Sequence, residues 1–258
     1  MFKKIKNKLL QIWQFIINSV KIFYTRICVK KFKNKHQGQR CFIVGNGPSL
    51  LPKDLDNLKN DICFGTHRIY NIFSETEWRP DYYCVQDSNL IYQSLKDIKN
   101  LDIKHKFLLI NKSWKYPYFP DTLYLNLFSK DFYPEPPEFS ADIAKGLYGG
   151  YTVSYMCLQM AVYMGFKEIY LIGVDHSYSV TLQPDGSLSV NNEIKNHFSE
   201  KDNLANVPQL FKSTLAYESA KKYATEHGIK IYNATRGGKL EVFERINFDE
   251  LFSQGDSK

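Results

Sequence analysis

The sequence predicts an α/β fold: a mostly parallel sheet with helices on both faces, preceded by an N-terminal amphipathic helix. Three observations carry this. From Cys41 onward, short apolar runs alternate with stretches of helical periodicity. The first run, R-C-F-I-V, leads straight into the turn G-N-G-P-S from Gly45 to Ser49. A nearly uncharged helical stretch, Thr152–Met164, then precedes a second strand-like run that also ends in glycine, Gly173.

The strands are predicted at Cys41–Val44, Ile62–Gly65, Tyr82–Gln86, Lys106–Ile110, Thr122–Leu125, Glu168–Ile172 and Lys230–Tyr232. Helices are predicted near Leu50–Lys59, Asn89–Lys99, Tyr151–Met164 and Leu210–His227. The third of these is apolar on all sides and should lie in the centre of the molecule, with Gly165 as its stop. Two segments, 128–150 and 177–206, are too long and too polar or proline-rich for ordinary connections. They read as lid-like loops at the carboxyl ends of the strands, where open α/β sheets bind ligands.

The chain has 258 residues and a formal charge of +7, unevenly spread. Twelve Lys and Arg and no acid precede Asp54, so the remainder, with 22 basic and 27 acidic residues, carries −5. The basic segment is ordered: Phe2, Ile5, Leu9, Trp13, Ile16, Val20, Phe23 and Ile27 recur every three or four residues as one apolar stripe. Its longest uncharged run, Leu9 to Val20, contains Gln11, Gln14, Asn18 and Ser19 and is too short and polar to span a bilayer. An interfacial helix resting on anionic lipid through residues 1–35 fits better; packing on the body or on another subunit of a homo-oligomer is the simpler alternative. The organisation read here is an arm over residues 1–38 and one α/β domain over 39–258. Nucleic acid is not an expected partner, because the stripe between the lysines is apolar and the body acidic.

The five cysteines show no CxxC spacing and read as reduced core residues, not as a zinc site or a disulfide framework. No A-x-A-like cleavage site follows the first apolar stretch. A cytoplasmic protein, peripheral on the inner face of the membrane, is therefore expected.

The glycine turn departs from a dinucleotide fingerprint. A third glycine would be needed where Leu50 stands, and Thr66-His67-Arg68 follows the second strand in place of a ribose-binding acid. The remaining physics is general: Gly45 and Gly47 let a ligand approach the backbone, and Ser49 can cap the helix whose amino end attracts anions. A tight loop without a ligand is the alternative.

The G-N-G-P-S-L block, with Y-M-C-L-Q-M-A-V-Y-M-G-F-K-E-I-Y-L-I-G-V-D from Tyr155 to Asp175, resembles the bacterial sialyltransferases of glycosyltransferase family 42. The same blocks resemble the family-115 proteins of unknown function, or 6-hydroxymethylpterin diphosphokinase-like proteins. The likeness runs from about Arg40 to Ala234. It implies a Rossmann-like (GT-A-like) sheet, a CMP-activated sugar donor, no metal, no further cofactor and a histidine base. It implies that Asn46 and Gly47 meet the donor nucleotide; Gly45 and Ser49 of the same turn, and Thr66 after the second strand, are expected binding residues beside them. Asp87 and Asn89 fall where the family carries an N-P-N; Thr152 aligns with a serine that contacts the donor sugar; Gly173 and Asp175 end the strand beside the cytidine. His67 and Arg68 replace an Asn-Gln pair. His197, in K-N-H-F-S-E, matches the base-bearing loop, and Tyr178 matches a loop tyrosine that meets the leaving phosphate; Arg68 is a second candidate for that task.

His176, directly after Asp175, competes with His197 as base, since a neutral imidazole can take a proton from an acceptor hydroxyl near pH 7. The function expected is a membrane-peripheral glycosyltransferase moving a sugar, with inversion, from a nucleotide donor to a surface glycan or glycolipid. A lipopolysaccharide or capsule is the expected product class. The alternative is an ATP-dependent diphosphate transferase of the 6-hydroxymethylpterin diphosphokinase kind, which should need Mg²⁺.

Overall fold

A computed structural model gives the fold, and it describes residues 2–111, 116, 117, 119, 121–199 and 206–252, with side chains from residue 5 onward. Helix α1 spans Phe2–Cys28 and passes into a 3₁₀ turn, Val29–Phe32. Strands β1 (Arg40–Val44), β2 (Ile62–Thr66), β3 (Tyr82–Val85), β4 (His105–Ile110), β5 (Thr122–Phe128) and β6 (Leu147–Tyr148) follow. Between them lie helices α2 (Pro52–Asn57), α3 (Ser88–Gln93) and α4 (Leu95–Asn100). Helix α5 (Val153–Met164) leads to β7 (Glu168–Ile172), the β8–β9 hairpin (Val180–Leu182, Leu188–Val190), α6 (Leu210–Glu226), β10 (Lys230–Asn233) and β11 (Glu244–Arg245).

Nine strands form one sheet in the order β11-β10-β7-β1-β2-β3-β4-β5-β6, and every pair in it is parallel. A parallel sheet must be covered on both faces, so its strands read as continuous apolar runs, as F-I-V in β1 and Y-Y-C-V in β3 do. One face is covered by α5, α6, Val29 and Phe32, the other by α2, α3, α4 and Phe248. Helix α5 is buried along nearly its whole length and stops at Gly165, as its composition predicts.

Two local readings change. The helix expected over Asn89–Lys99 is two, broken at Ser94, whose hydroxyl accepts from Arg68 Nε at 3.2 Å. The helix after the glycine turn begins only at Pro52, with Leu51 as its N-cap residue. Asp54 accepts from Leu51 N at 3.1 Å and from Arg236 at 2.6 Å, so a carboxylate of the chain already occupies that helix end.

The N-terminal segment is not detached. Val29 and Phe32 are fully buried, and Phe32 meets Tyr82, His105 and Phe107 edge-on. Thr25 Oγ1 accepts from Tyr124 N at 2.7 Å and Asn18 Nδ2 donates to Asn111 O at 3.4 Å, which seats α1 against β5 and the end of β4.

Candidate active site

From β1 the chain steps outward through β2, β3, β4, β5 and β6, then crosses through α5 to β7 on the other side of β1. The carboxyl ends of β1 and β7 are therefore the point where strand order reverses, and connections leaving in opposite directions open a crevice there. The two turns at this point are stitched together: Gly45 N donates to Ile172 O and Gly47 N to Gly173 O, both at 2.8 Å. A β-carbon on Gly45 would stand 2.3 Å from Gly173 O, and one on Gly47 1.8 Å from Asp175 Oδ2. The glycines are thus required by the neighbouring turn, where the sequence had suggested the approach of a ligand.

A cavity of about 660 Å³ lies over these strand ends. It gathers Gly45, Asn46, Gly47, Thr66, His67, Asp87, Thr152, Gly173, Asp175, His176, Tyr178 and His197 from the expected set. Three expected residues do not line it. Ser49 donates to Asp175 Oδ2 at 2.7 Å and does not cap α2. Arg68 is turned to Ser94 and to Gln93 Oε1, 2.7 Å from the latter. Asn89 lies on α3 and donates to Asn206 Oδ1 at 2.9 Å.

Asn46 ties β1 to β2: its Nδ2 donates to Thr66 O and Thr66 Oγ1, each at 3.0 Å, and Thr66 in turn donates to Val44 O at 2.8 Å. This fixes the amide, and its Oδ1 is buried with no hydrogen-bond partner among the described residues. Gln86, at the end of β3, lines the same cavity and its Oε1 is in the same condition. Buried acceptors left without a donor at a cavity wall suit a ligand that supplies one. Asp87 has structural work as well: Oδ1 accepts from Asn89 N and Leu90 N as the N-cap of α3, and Oδ2 accepts from Asn206 Nδ2.

The amino end of α5 faces the cavity through Thr152, Val153 and Ser154. Thr152 holds the N-cap position, yet no side chain caps the helix, because its hydroxyl lies 3.3 Å from Tyr217 Oη. The partial positive charge of a twelve-residue helix is therefore presented to the cavity.

The histidines differ in setting. His176 sits at φ +53°, its Nε2 2.8 Å from Thr214 Oγ1, and burial pushes its pKa down to about 4. Thr214 Oγ1 also lies 2.9 Å from Leu210 O, so its hydroxyl is shared between that carbonyl and His176 Nε2. His197 lies on the segment that returns over the glycine turn, where Phe198 N donates to Asn46 O at 3.0 Å. Its ring stands edge-on to Tyr178, centroids 6.3 Å apart. That segment is folded by the β8–β9 hairpin and by Asn196, which accepts from Ser179 N and donates to Ser179 Oγ. Residues 200–205 of the expected lid lie outside the described residues.

Sequence reasoning missed Gln86, Gly149, Asn196, Asn206 and Tyr217, all of which line the cavity. Gln86 carries a usable signal, its place at a strand end; Tyr217, on α6 far along the chain, carries none. Burial raises the pKa of Asp175 above the usual carboxylate value, against the opposing hydrogen bond from Ser49. Among the described residues, no group of three or more His, Cys, Asp or Glu is placed to hold a metal ion, and no helix is long and apolar enough to cross a membrane.

The family model for 6-hydroxymethylpterin diphosphokinase MptE-like proteins matches residues 14–181, from within α1 to β8, and so takes in both turns of the switch point. The chain belongs to the MptE-like family. A solved structure, the MAf glycosyltransferase from Magnetospirillum magneticum AMB-1, is similar with a TM-score of 0.48 and 14% identity. The alignment covers 89% of this MptE-like chain and 38% of that one, so the chain spans little more than a third of that structure's length. No curated protein matches the sequence significantly.

Proposed function

We propose that this MptE-like protein is a glycosyltransferase that moves a sugar from a nucleotide donor, a CMP-sugar in the first instance, to a glycan hydroxyl. The observation that carries the reading is one cavity in which His197 and Tyr178 join the two switch-point turns while both nearby carboxylates are already engaged. Transfer needs a base at the acceptor hydroxyl and a positive environment for the departing phosphate. His197 takes the proton as the acceptor oxygen bonds to the anomeric carbon. The bond from that carbon to the phosphate oxygen breaks, and the nucleotide leaves towards the amino end of α5 and the Tyr178 hydroxyl. One displacement inverts the transferred carbon. His176 is the weaker candidate, since burial holds its pKa at about 4 and makes it a poor proton acceptor.

The unpaired Oδ1 of Asn46 and Oε1 of Gln86 support a base with an exocyclic amine, as cytosine has. A diphosphate transfer from ATP is the second reading, favoured by the family match itself. Its Mg²⁺ would look to Asp87 and Asp175, whose hydrogen bonds to the α3 backbone, Asn206 and Ser49 compete for the oxygens needed. Thermal shift with CMP, UDP, GDP and ATP, each with and without Mg²⁺, tests the two. CMP should raise the melting temperature alone, as a ligand of the native state must. A response to ATP that requires Mg²⁺, with none to CMP, replaces the first reading by the second.

A further inference from the structure

Helix α1 keeps its apolar stripe away from the body. The face it lays on the sheet is mixed: Asn18 is 0% and Thr25 2% exposed, Lys21 Nζ donates to Tyr116 O at 3.3 Å, and Ile22 packs against the core beside them. The apolar stripe faces outward, with Trp13 62%, Val20 62% and Phe23 65% exposed. Ile5, Leu9, Ile16 and Ile27 are exposed beside them. A contiguous exposed apolar face of this extent marks an interaction surface.

Charge selects the occupant. Residues 1–35 hold ten Lys and Arg and no acid. A second copy docking through this face would bring two such sets together, whereas an anionic lipid surface complements them, with each basic residue near it contributing about 1 kcal/mol.

The direction of α1 adds a second fact. Its carboxyl end reaches Phe32, against His105 and Tyr82 at the starts of β4 and β3. Thr25 meets Tyr124 within β5, and Asn18 meets Asn111, just past the end of β4. Traced backwards, the helix therefore climbs towards the carboxyl edge of the sheet. At about 1.5 Å per residue, Ile5 lies roughly 20 Å further along than Asn18. That is the edge on which the cavity opens.

We infer that α1 docks the protein on an anionic lipid surface through its outward apolar face, the helix lying along that surface and running towards the sheet edge on which the cavity opens. On the glycosyltransferase reading, the acceptor is then a lipid-linked glycan presented at that surface.

The test is co-sedimentation of the full chain with vesicles of phosphatidylcholine alone and of phosphatidylcholine mixed with phosphatidylglycerol, which needs no activity. The chain should pellet with the mixed vesicles and not with the neutral ones, and added salt should weaken binding. Trp13→Glu with Val20→Glu should lower vesicle affinity by about tenfold or more, with circular dichroism and melting unchanged because both side chains face solvent. Lys6→Glu with Lys8→Glu, which leaves the apolar face intact, should also weaken binding. Equal pelleting of parent and both variants overturns the inference. So does a lipid-free dimer that Val20→Glu dissociates, which would make a second copy the occupant. Failure of these binding tests leaves the transferase reading untouched, and loss of turnover alone leaves docking untouched.

Discussion

Asp175 fills the space that a side chain on Gly47 would need. A β-carbon there would lie 1.8 Å from Asp175 Oδ2, the same oxygen that Ser49 Oγ holds at 2.7 Å. Gly47→Ala should therefore destabilise the fold by about 1–3 kcal/mol through overpacking. Asp175→Ala should recover part of that loss in the double variant, the remainder coming from Gly173 O at 2.8 Å. Melting curves of the four proteins in the cycle give the coupling. Additive losses would mean that the carboxylate is not what excludes a side chain from Gly47.

The histidine assignment separates in kinetics. His197→Ala should lower turnover by about 10²- to 10⁴-fold with donor affinity within a few-fold, the signature of a lost base. His176→Asn, which tolerates the left-handed backbone at φ +53°, should reduce turnover much less. Nucleotide titration and steady-state rates on both variants check this. The reverse ranking would move the base to the end of β7.

Acid should weaken the fold in a defined window. Burial holds both His176 and His105 at about pH 4, below the usual histidine value of 6.5, so the unfolded chain binds more protons between those limits. Their contribution is complete above pH 6.5 and is lost as the pH falls towards 4, on the order of 2 kcal/mol each after allowance for partial exposure. Asp175, raised by burial, works in the opposite sense, because the folded protein takes up its proton first as the pH falls. Denaturant midpoints from pH 7.5 to 4.5 should show a net decline that His176→Asn makes shallower. An unchanged slope in that variant would mean that His176 titrates normally in the fold.

Truncation should divide α1 in two. Removing residues 1–12 takes away side chains that are exposed from Ile5 to Ile12 and should leave melting unchanged. Removing 1–35 strips Thr25 from Tyr124 and takes Val29 and Phe32 out of the core, so loss of cooperative unfolding is expected. Phe32→Ala alone should cost about 3–5 kcal/mol. A 1–35 deletion that melts like the parent would show that the segment contributes nothing to the body.

The alternation of runs determined the sheet, because parallel strands must be apolar on both faces whereas most helices between them keep a polar side towards solvent. Central strands such as β7 and the uniformly apolar α5 were legible to within a residue or two for that reason. Twelve of the fifteen expected site residues meet at one cavity because motifs at strand ends must share the carboxyl edge of a parallel sheet. What no local pattern holds is which partner a side chain finds across the fold. Ser49 and Asp175, 126 positions apart, and Gly47 with its backbone pressed against that carboxylate were decided by the adjacency of β1 and β7. The polarity of α1 was decided in the same way. Its period fixes an apolar stripe, but the partners that Thr25, Asn18, Lys21 and Ile22 find on the body leave that stripe facing outward.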